Sequence, residues 1–277
     1  MKIPSILFSI VILMTSFASI GAKEANPVAQ LKWQTGPNTQ SIDGRATLNV
    51  PEKYYYLDEG ETKKYSDLSH NPSSGNDSLF TNGVWEAYLN FDEIGYVKDN
   101  ETIDPDDLLK QYQEGVKASN DFRREKGWGT LEVEGWFFKP QYDKEKKLLE
   151  WAFLLKDSAS QKPIVNYYTK ILGRTGAVSI TLVATPENMS TAIADFKDKL
   201  NGFDFNQGER YTEFKQGDKV AEYGLAALIV GGVAAVAAKK GFFAVILAFL
   251  AGAWKLLLIP FIFAFGWLKS LFNKKDK

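Results

Sequence analysis

Residues 148–184 read LLEWAFLLKDSASQKPIVNYYTKILGRTGAVSITLVA. Three apolar runs in this stretch predict strands over 148–155, 164–172 and 178–184. In the last run Val178, Ile180, Leu182 and Ala184 alternate with Ser179 and Thr181, the period of a strand with one covered face. Residues 148–155 are apolar on both faces, which predicts a central strand covered on two sides. The connections KDSASQKP and GRTG hold turn residues and are too short for a crossover helix, so the strands form an antiparallel meander. Residues 131–138 supply one more strand, before the turn-like KPQYDKEK.

Upstream of this stretch, Asp104-Pro105-Asp106-Asp107 is a helix start. Asp104 can cap, proline suits the first turn, and the acids favour the positive end of the helix dipole. Leu109, Tyr112 and Val116 then recur at helical spacing, which carries the helix to about Arg123. Downstream, Thr185-Pro186 opens a second helix with Met189, Ile193, Phe196 and Leu200 on one stripe. Nearer the start of the chain, Ala46, Leu48 and Val50 alternate with polar residues, and residues 54–57, 84–89 and 95–98 are further strand candidates. Residues 69–77 read as a loop. The fold class is α+β, an antiparallel sheet meander with two packed helices, followed by a C-terminal transmembrane anchor. Helix, strands and a closing helix is also the element order of the PsbP and Mog1 folds.

The two ends of the chain read differently from the middle. Residues 1–22 have the form of a secretory signal peptide: Lys2, an apolar run over 6–17, then Ala18, Ser19, Gly21 and Ala22. A retained N-terminal anchor is the other reading, and both export the domain behind it. The exported α+β domain is expected over 23–207, with the polar, glycine-bearing stretch 208–219 as a tether. Residues 220–238 are apolar except for Glu222 and Tyr223, and Lys239 and Lys240 come immediately after. That run matches the ~20 residues a helix needs to span a bilayer. A second apolar stretch, 242–268, is broken by Lys255 and Pro260, and both a span and a re-entrant segment remain open for it. A basic tail, 269–277, closes the chain. The lysines after the first span place its end at the cytoplasmic face, so the expected location is a bacterial inner membrane with the N-terminal domain in the periplasm.

Charge and composition narrow the function classes. The formal net charge is −1. Residues 23–219 hold 25 bases against 32 acids, whereas residues 220–277 hold seven lysines against Glu222 and Asp276. An acidic exported part argues against nucleic acid as its partner. Without cysteine there are no disulfides, thiolate metal sites or cysteine nucleophiles. His70 is the only histidine and lies in a polar loop, so a classical triad or zinc site would depend on it alone. No G-x-S-x-G, Walker or G-x-G-x-x-G motif occurs, and no cofactor is expected. Asp104, Asp106 and Asp107 are explained by helix capping rather than by a cation. Glu132 and Glu134 share an expected strand face with Trp136, the residues a carboxylate-based hydrolase would use. Asn166, Tyr168, Lys170 and Arg174 form the most distinctive polar stretch and the candidate interaction surface. Gly224, Ala227, Gly231, Ala235 and Ala238 recur every three or four residues, a small-residue stripe that permits close helix packing.

Several blocks together resemble a known family. They are GPNTQSIDGRATLNVPEKYYYLD (36–58), IDPDDLL (103–109), GWFFKPQYDKEKKLLEWAF (135–153), VNYYTKILGRTG (165–176) and GERYTEFKQGDKVAEYGLAALIVGGVAAVAAKKG (208–241). The chain resembles the bacterial membrane-anchored proteins grouped as domain of unknown function 2167. The resemblance implies an exported domain, a C-terminal membrane anchor and no established activity. Where that family's pattern has a second Asn in Asn-x-Asn, this chain has Tyr168. The leading expectation is a non-catalytic, membrane-anchored module, with the lipid bilayer and an envelope protein or a second copy of the chain as partners. The alternatives are a small-molecule or envelope-glycan binding module, with Trp128, Trp136 and Trp151 lining a cleft, and a hydrolase built on carboxylates such as Glu132 and Glu134.

Overall fold

The computed structural model describes residues 26–69, 75–125, 127 and 129–230. The expected signal peptide over 1–22, His70, Trp128, Gly231, Ala235, Ala238 and the segments 231–238, 242–268 and 269–277 lie outside the described residues. In chain order the elements are β1 (Gln34–Thr35), β2 (Asn38–Ile42), β3 (Ala46–Val50), β4 (Tyr55–Leu57), α1 (Glu59–Leu68), β5 (Ser78–Thr81), β6 (Glu86–Asp92), α2 (Pro105–Glu125), β7 (Leu131–Asp143), β8 (Leu148–Asp157), β9 (Pro163–Leu172), β10 (Ala177–Ala184), α3 (Pro186–Lys199), β11 (Phe203–Phe205) and α4 (Leu225–Ile229). Short 3-10 turns fall at Pro27–Gln30, Leu200–Gly202 and Tyr211–Glu213.

The architecture is α+β, as the sequence implies. Eight strands form one antiparallel sheet in the order β1-β4-β5-β6-β10-β9-β8-β7. The expected meander is therefore β7 to β10, and it joins a second run of hairpins where β10 pairs with β6. A small three-stranded sheet, β11-β3-β2, lies apart from it. Residues 148–157 are covered on both faces, but β8 sits next to the edge strand β7 rather than at the sheet centre. Residues 95–98 form no strand; Tyr96 makes a single parallel bridge with Val220.

One face of the large sheet packs against α3 and the small sheet. Ile180, Leu182, Tyr167, Ala152, Met189 and Phe196 are fully buried there with Leu48 and Val50. The other face carries α1 and α2. Under α2, Phe153 lies flat between two rings, 3.5 Å from Tyr112 and 4.3 Å from Trp136. Two N-termini behave as their sequences predict: the Asp104 carboxylate accepts from the backbone N–H groups of Asp106 and Asp107, and Pro186 opens α3 behind Thr185. Helix α1 is not among the expected elements. Its inward residues are Glu61, Thr62 and Ser66, so it carries no apolar stripe, and Asp58 caps it through Glu61 N–H.

Two expectations near the C-terminus need correction. Residues 208–219 are not a loose tether. Tyr211 is buried and donates to Val97 O at 2.8 Å, Arg174 N–H donates to Glu209 O, and Tyr96 N–H donates to Lys219 O. The predicted helix over 220–238 does not begin at Val220, because Val220 bridges Tyr96 as extended backbone, with Lys219 O and Ala221 N–H making the bonds to Tyr96. The helix starts only at Leu225, with Gly224 extended before it and the Glu101 carboxylate accepting from Ala226 N–H at 3.1 Å. Among the described residues no helix is long and apolar enough to cross a membrane.

Candidate functional site

Strand β9 presents Asn166, Tyr168 and Lys170 on one face, as alternate residues of a strand must be. That face is the one covered by α2 at its β8 side. The register sets Lys170 beside Ser179 of β10, and Ser179 beside Asn90 of β6. Asp92, two residues beyond Asn90, completes a network. Lys170 Nζ donates to Asp92 Oδ2 at 2.8 Å and to Ser179 Oγ, Ser179 Oγ donates to Asp92, and Asn90 Nδ2 donates to Asp92 Oδ1 at 2.8 Å. Burial pushes the Asp92 carboxyl up. The Lys170 charge and the hydrogen bonds from Lys170, Ser179 and Asn90 outweigh it and hold the group below the usual carboxylate range.

A serine beside a lysine can be activated only if the lysine gives up its proton. Here the Lys170 ammonium is one half of an ion pair, and Ser179 is 9% exposed. The trio is an ion-paired clasp across three strands. Tyr168 stacks on Trp151 at 5.5 Å and accepts from Asn166 Nδ2 at 3.2 Å. Burial raises the Tyr168 hydroxyl's pKa, against the pull of its bonds with Tyr112 and Asn166. Asn166 is fully buried, with its other amide atom, Oδ1, unpaired among the described residues.

Arg174 does not join this face. It sits in the β9–β10 turn at the end of the sheet, where Nε and Nη2 each donate to an Asp218 oxygen at 2.7 Å and Nη1 donates to Gly208 O. The two bonds from Arg174 and the backbone N–H of Lys215 bring the Asp218 pKa down to about 2. Beside it Glu209 accepts from Arg45 and from Thr175 Oγ1. Sequence reasoning missed Asp92, Ser179, Glu209 and Asp218, since their partners come together only in the folded sheet and no local spacing marks them.

The other candidate groups separate. Val133 and Trp136 pair with Leu155 and Phe153, so both face α2, while Glu132, opposite Lys156, points to the other side and Glu134 is the unpaired residue at the register shift. The register shift at Gly135 inserts an extra residue and flips the alternation. The two acids are exposed on the edge strand and share no cleft with Trp136. Nor do Trp136 and Trp151 line a cleft. Trp151 is 3% exposed, and Trp136 stacks on Phe153 while its Nε1 donates to Pro105 O. An open cleft of about 450 Å³ lies elsewhere, between residues 27–32 and α1. No group of three His, Asp or Glu residues that could hold a metal ion occurs among the described residues. Of the small-residue stripe, Gly224 packs so close to Glu101 that a Cβ would lie 2.2 Å from Oε2, and Ala227 is buried in α4.

Among solved structures, the chain is similar to the solution structure of cyanobacterial PsbP (CyanoP) from Synechocystis sp. PCC 6803. The match covers 69% of this chain and 98% of that one, at 12% identity and a TM-score of 0.36. No curated protein matches the chain. The family model described as a protein of unknown function (DUF2167) matches residues 34–263, and the chain belongs to that family.

Proposed function

We propose that the protein is a non-catalytic module exported across a bacterial inner membrane, held at that membrane by its C-terminal apolar sequence, and used to bind a partner in the envelope. The observation that carries this reading is the bonding of residues 208–226. This strip runs straight into the apolar sequence, yet it is joined to the domain at Val97, Tyr96, Glu101 and Arg174. Bonding of this kind fixes where the chain leaves the domain, which suits a tethered binding module. Lys170 is engaged with Asp92 and Ser179, and Tyr168 with Asn166 and Trp151, which favours a structural role for them over a chemical one. Gly224 and Ala227 are already packed within the domain, so self-association through the small-residue stripe would rest on Gly231, Ala235 and Ala238.

Reporter fusions after Lys219, Gly241 and Lys277 test the reading. Alkaline phosphatase, active only outside the cytoplasm, is expected to be active after Lys219 and inactive after Gly241. An inactive Lys219 fusion contradicts export of the domain.

A further inference from the structure

The large sheet has two distinct ends. At one lies the β5–β6 turn with Val84, which is 54% exposed. At the other, about 20 Å away by the ~3.3 Å rise per residue along β6, lie Asp92 and the loop after it. The β7–β8 and β9–β10 turns and the strip 208–221 gather at this second end, joined by Leu172 N–H to Lys147 O, Gly95 N–H to Thr175 O and Tyr96 N–H to Lys219 O.

Two apolar side chains stand out from this end. Phe214 and Val220 are 38% and 39% exposed, and both lie against Tyr96. Lys98, Lys144, Lys146, Lys215 and Lys219 stand on the loops and turns of the same end, all exposed and without a salt bridge among the described residues. Most acids here are paired: Asp92 with Lys170, Asp99 with Lys147, Glu209 with Arg45, Asp218 with Arg174 and, at the surface, Glu93 with Arg45 and Asp204 with Arg210. Glu145 and Glu222 are exposed and without a salt bridge among the described residues, two acids against the five lysines. The outward surface is thus basic around an apolar centre, although residues 23–219 as a whole are acidic.

We propose that this end docks on an anionic lipid headgroup surface, with Phe214 and Val220 at the headgroup–acyl boundary and the five lysines among the phosphates. The choice of occupant rests on charge and on the course of the chain. Exposed aromatic and aliphatic groups ringed by lysine are the pattern that binds anionic interfaces. Ten residues past Val220 the described chain ends, and the sequence ahead is apolar over 231–238 and 242–268. The docking depends on the membrane attachment proposed for the C-terminal sequence and adds which face of the domain meets the lipid.

The native chain has no cysteine, so single cysteines label cleanly. The full-length protein carrying Phe214→Cys, Lys98→Cys or Val84→Cys, each with an environment-sensitive fluorophore, is reconstituted into phosphatidylcholine vesicles with or without phosphatidylglycerol. A headgroup spin-labelled lipid is the quencher. The Phe214→Cys and Lys98→Cys labels are expected to be quenched several-fold more with phosphatidylglycerol than without, and the Val84→Cys label not at all. Lys98→Gln, Lys215→Gln and Lys219→Gln together are expected to remove most of the difference. A chain that floats with the vesicles while both labels stay in water overturns the docking and leaves the attachment standing. A chain that does not float overturns both. Labels that stay in water on vesicles yet are shielded in native membranes indicate a protein partner and also overturn the lipid assignment.

Discussion

The guanidinium of Arg174 forks onto the carboxylate of Asp218, with Nε and Nη2 each 2.7 Å from one oxygen. One residue belongs to the tight turn between the adjacent strands β9 and β10. The other belongs to the strip that leads out of the domain. The geometry is bidentate, which ties direction as well as distance, and Gly208 O takes a third bond from the same side chain.

Breaking the fork frees the strip without unfolding the domain. Asp218→Asn or Arg174→Gln is expected to speed tryptic cleavage after Lys215 and Lys219 several-fold and to leave the melting temperature nearly unchanged. Limited proteolysis beside a thermal melt checks this. A large fall in melting temperature would mean that the pair supports the whole domain.

The same pair responds to acid. The folded Asp218 pKa is about 2, below the ~3.9 of a free aspartate. The bond's contribution is therefore complete above about pH 4 and is lost as pH falls from there towards about 2. Exchange protection of the Tyr96 and Ala221 amides, which bond across to Lys219 O and Tyr96 O, is expected to fall over that window. In Asp218→Asn the transition should be absent.

Under α2, Phe153 is buried between the Tyr112 and Trp136 rings. Phe153→Ala leaves a cavity there and is expected to cost about 3–5 kcal/mol. At ~2–4 °C per kcal/mol for a domain of this size, the melting temperature falls by roughly 6–20 °C. Calorimetry of the purified variant measures it.

Strands β7 to β10 and helices α2 and α3 were legible because their signals are local: alternation at Val178–Ala184, a proline behind a capping residue at Pro105 and Pro186. What was not legible depended on distant partners. Helix α1 buries Glu61, Thr62 and Ser66 instead of an apolar stripe. Strand β11 pairs with β3, far away in the chain, and residues 208–219 read as a polar tether although Tyr211 anchors them. The register shift at Gly135 puts Trp136 on the face opposite Glu132 and leaves Glu134 unpaired in the bulge, which simple alternation could not anticipate. At the candidate site, Asn166, Tyr168 and Lys170 were readable as one face. Asp92 and Ser179, which engage Lys170, become its neighbours only through sheet register.

If the Lys170 network is a clasp, its members are coupled. Lys170→Met alone leaves the half-buried Asp92 carboxylate without its cation and is expected to cost about 1–3 kcal/mol. Adding Asp92→Asn to that variant should restore part of the loss. A double-mutant cycle by denaturant unfolding reads the coupling, and strictly additive losses would deny it.

Attachment to a membrane is the claim on which location, orientation and partner all rest, and extraction of the full-length chain from its own cells tests it most directly. The chain is expected in the membrane pellet, to stay there through an alkaline carbonate wash, and to be released by detergent. Recovery in the soluble fraction without detergent would contradict it.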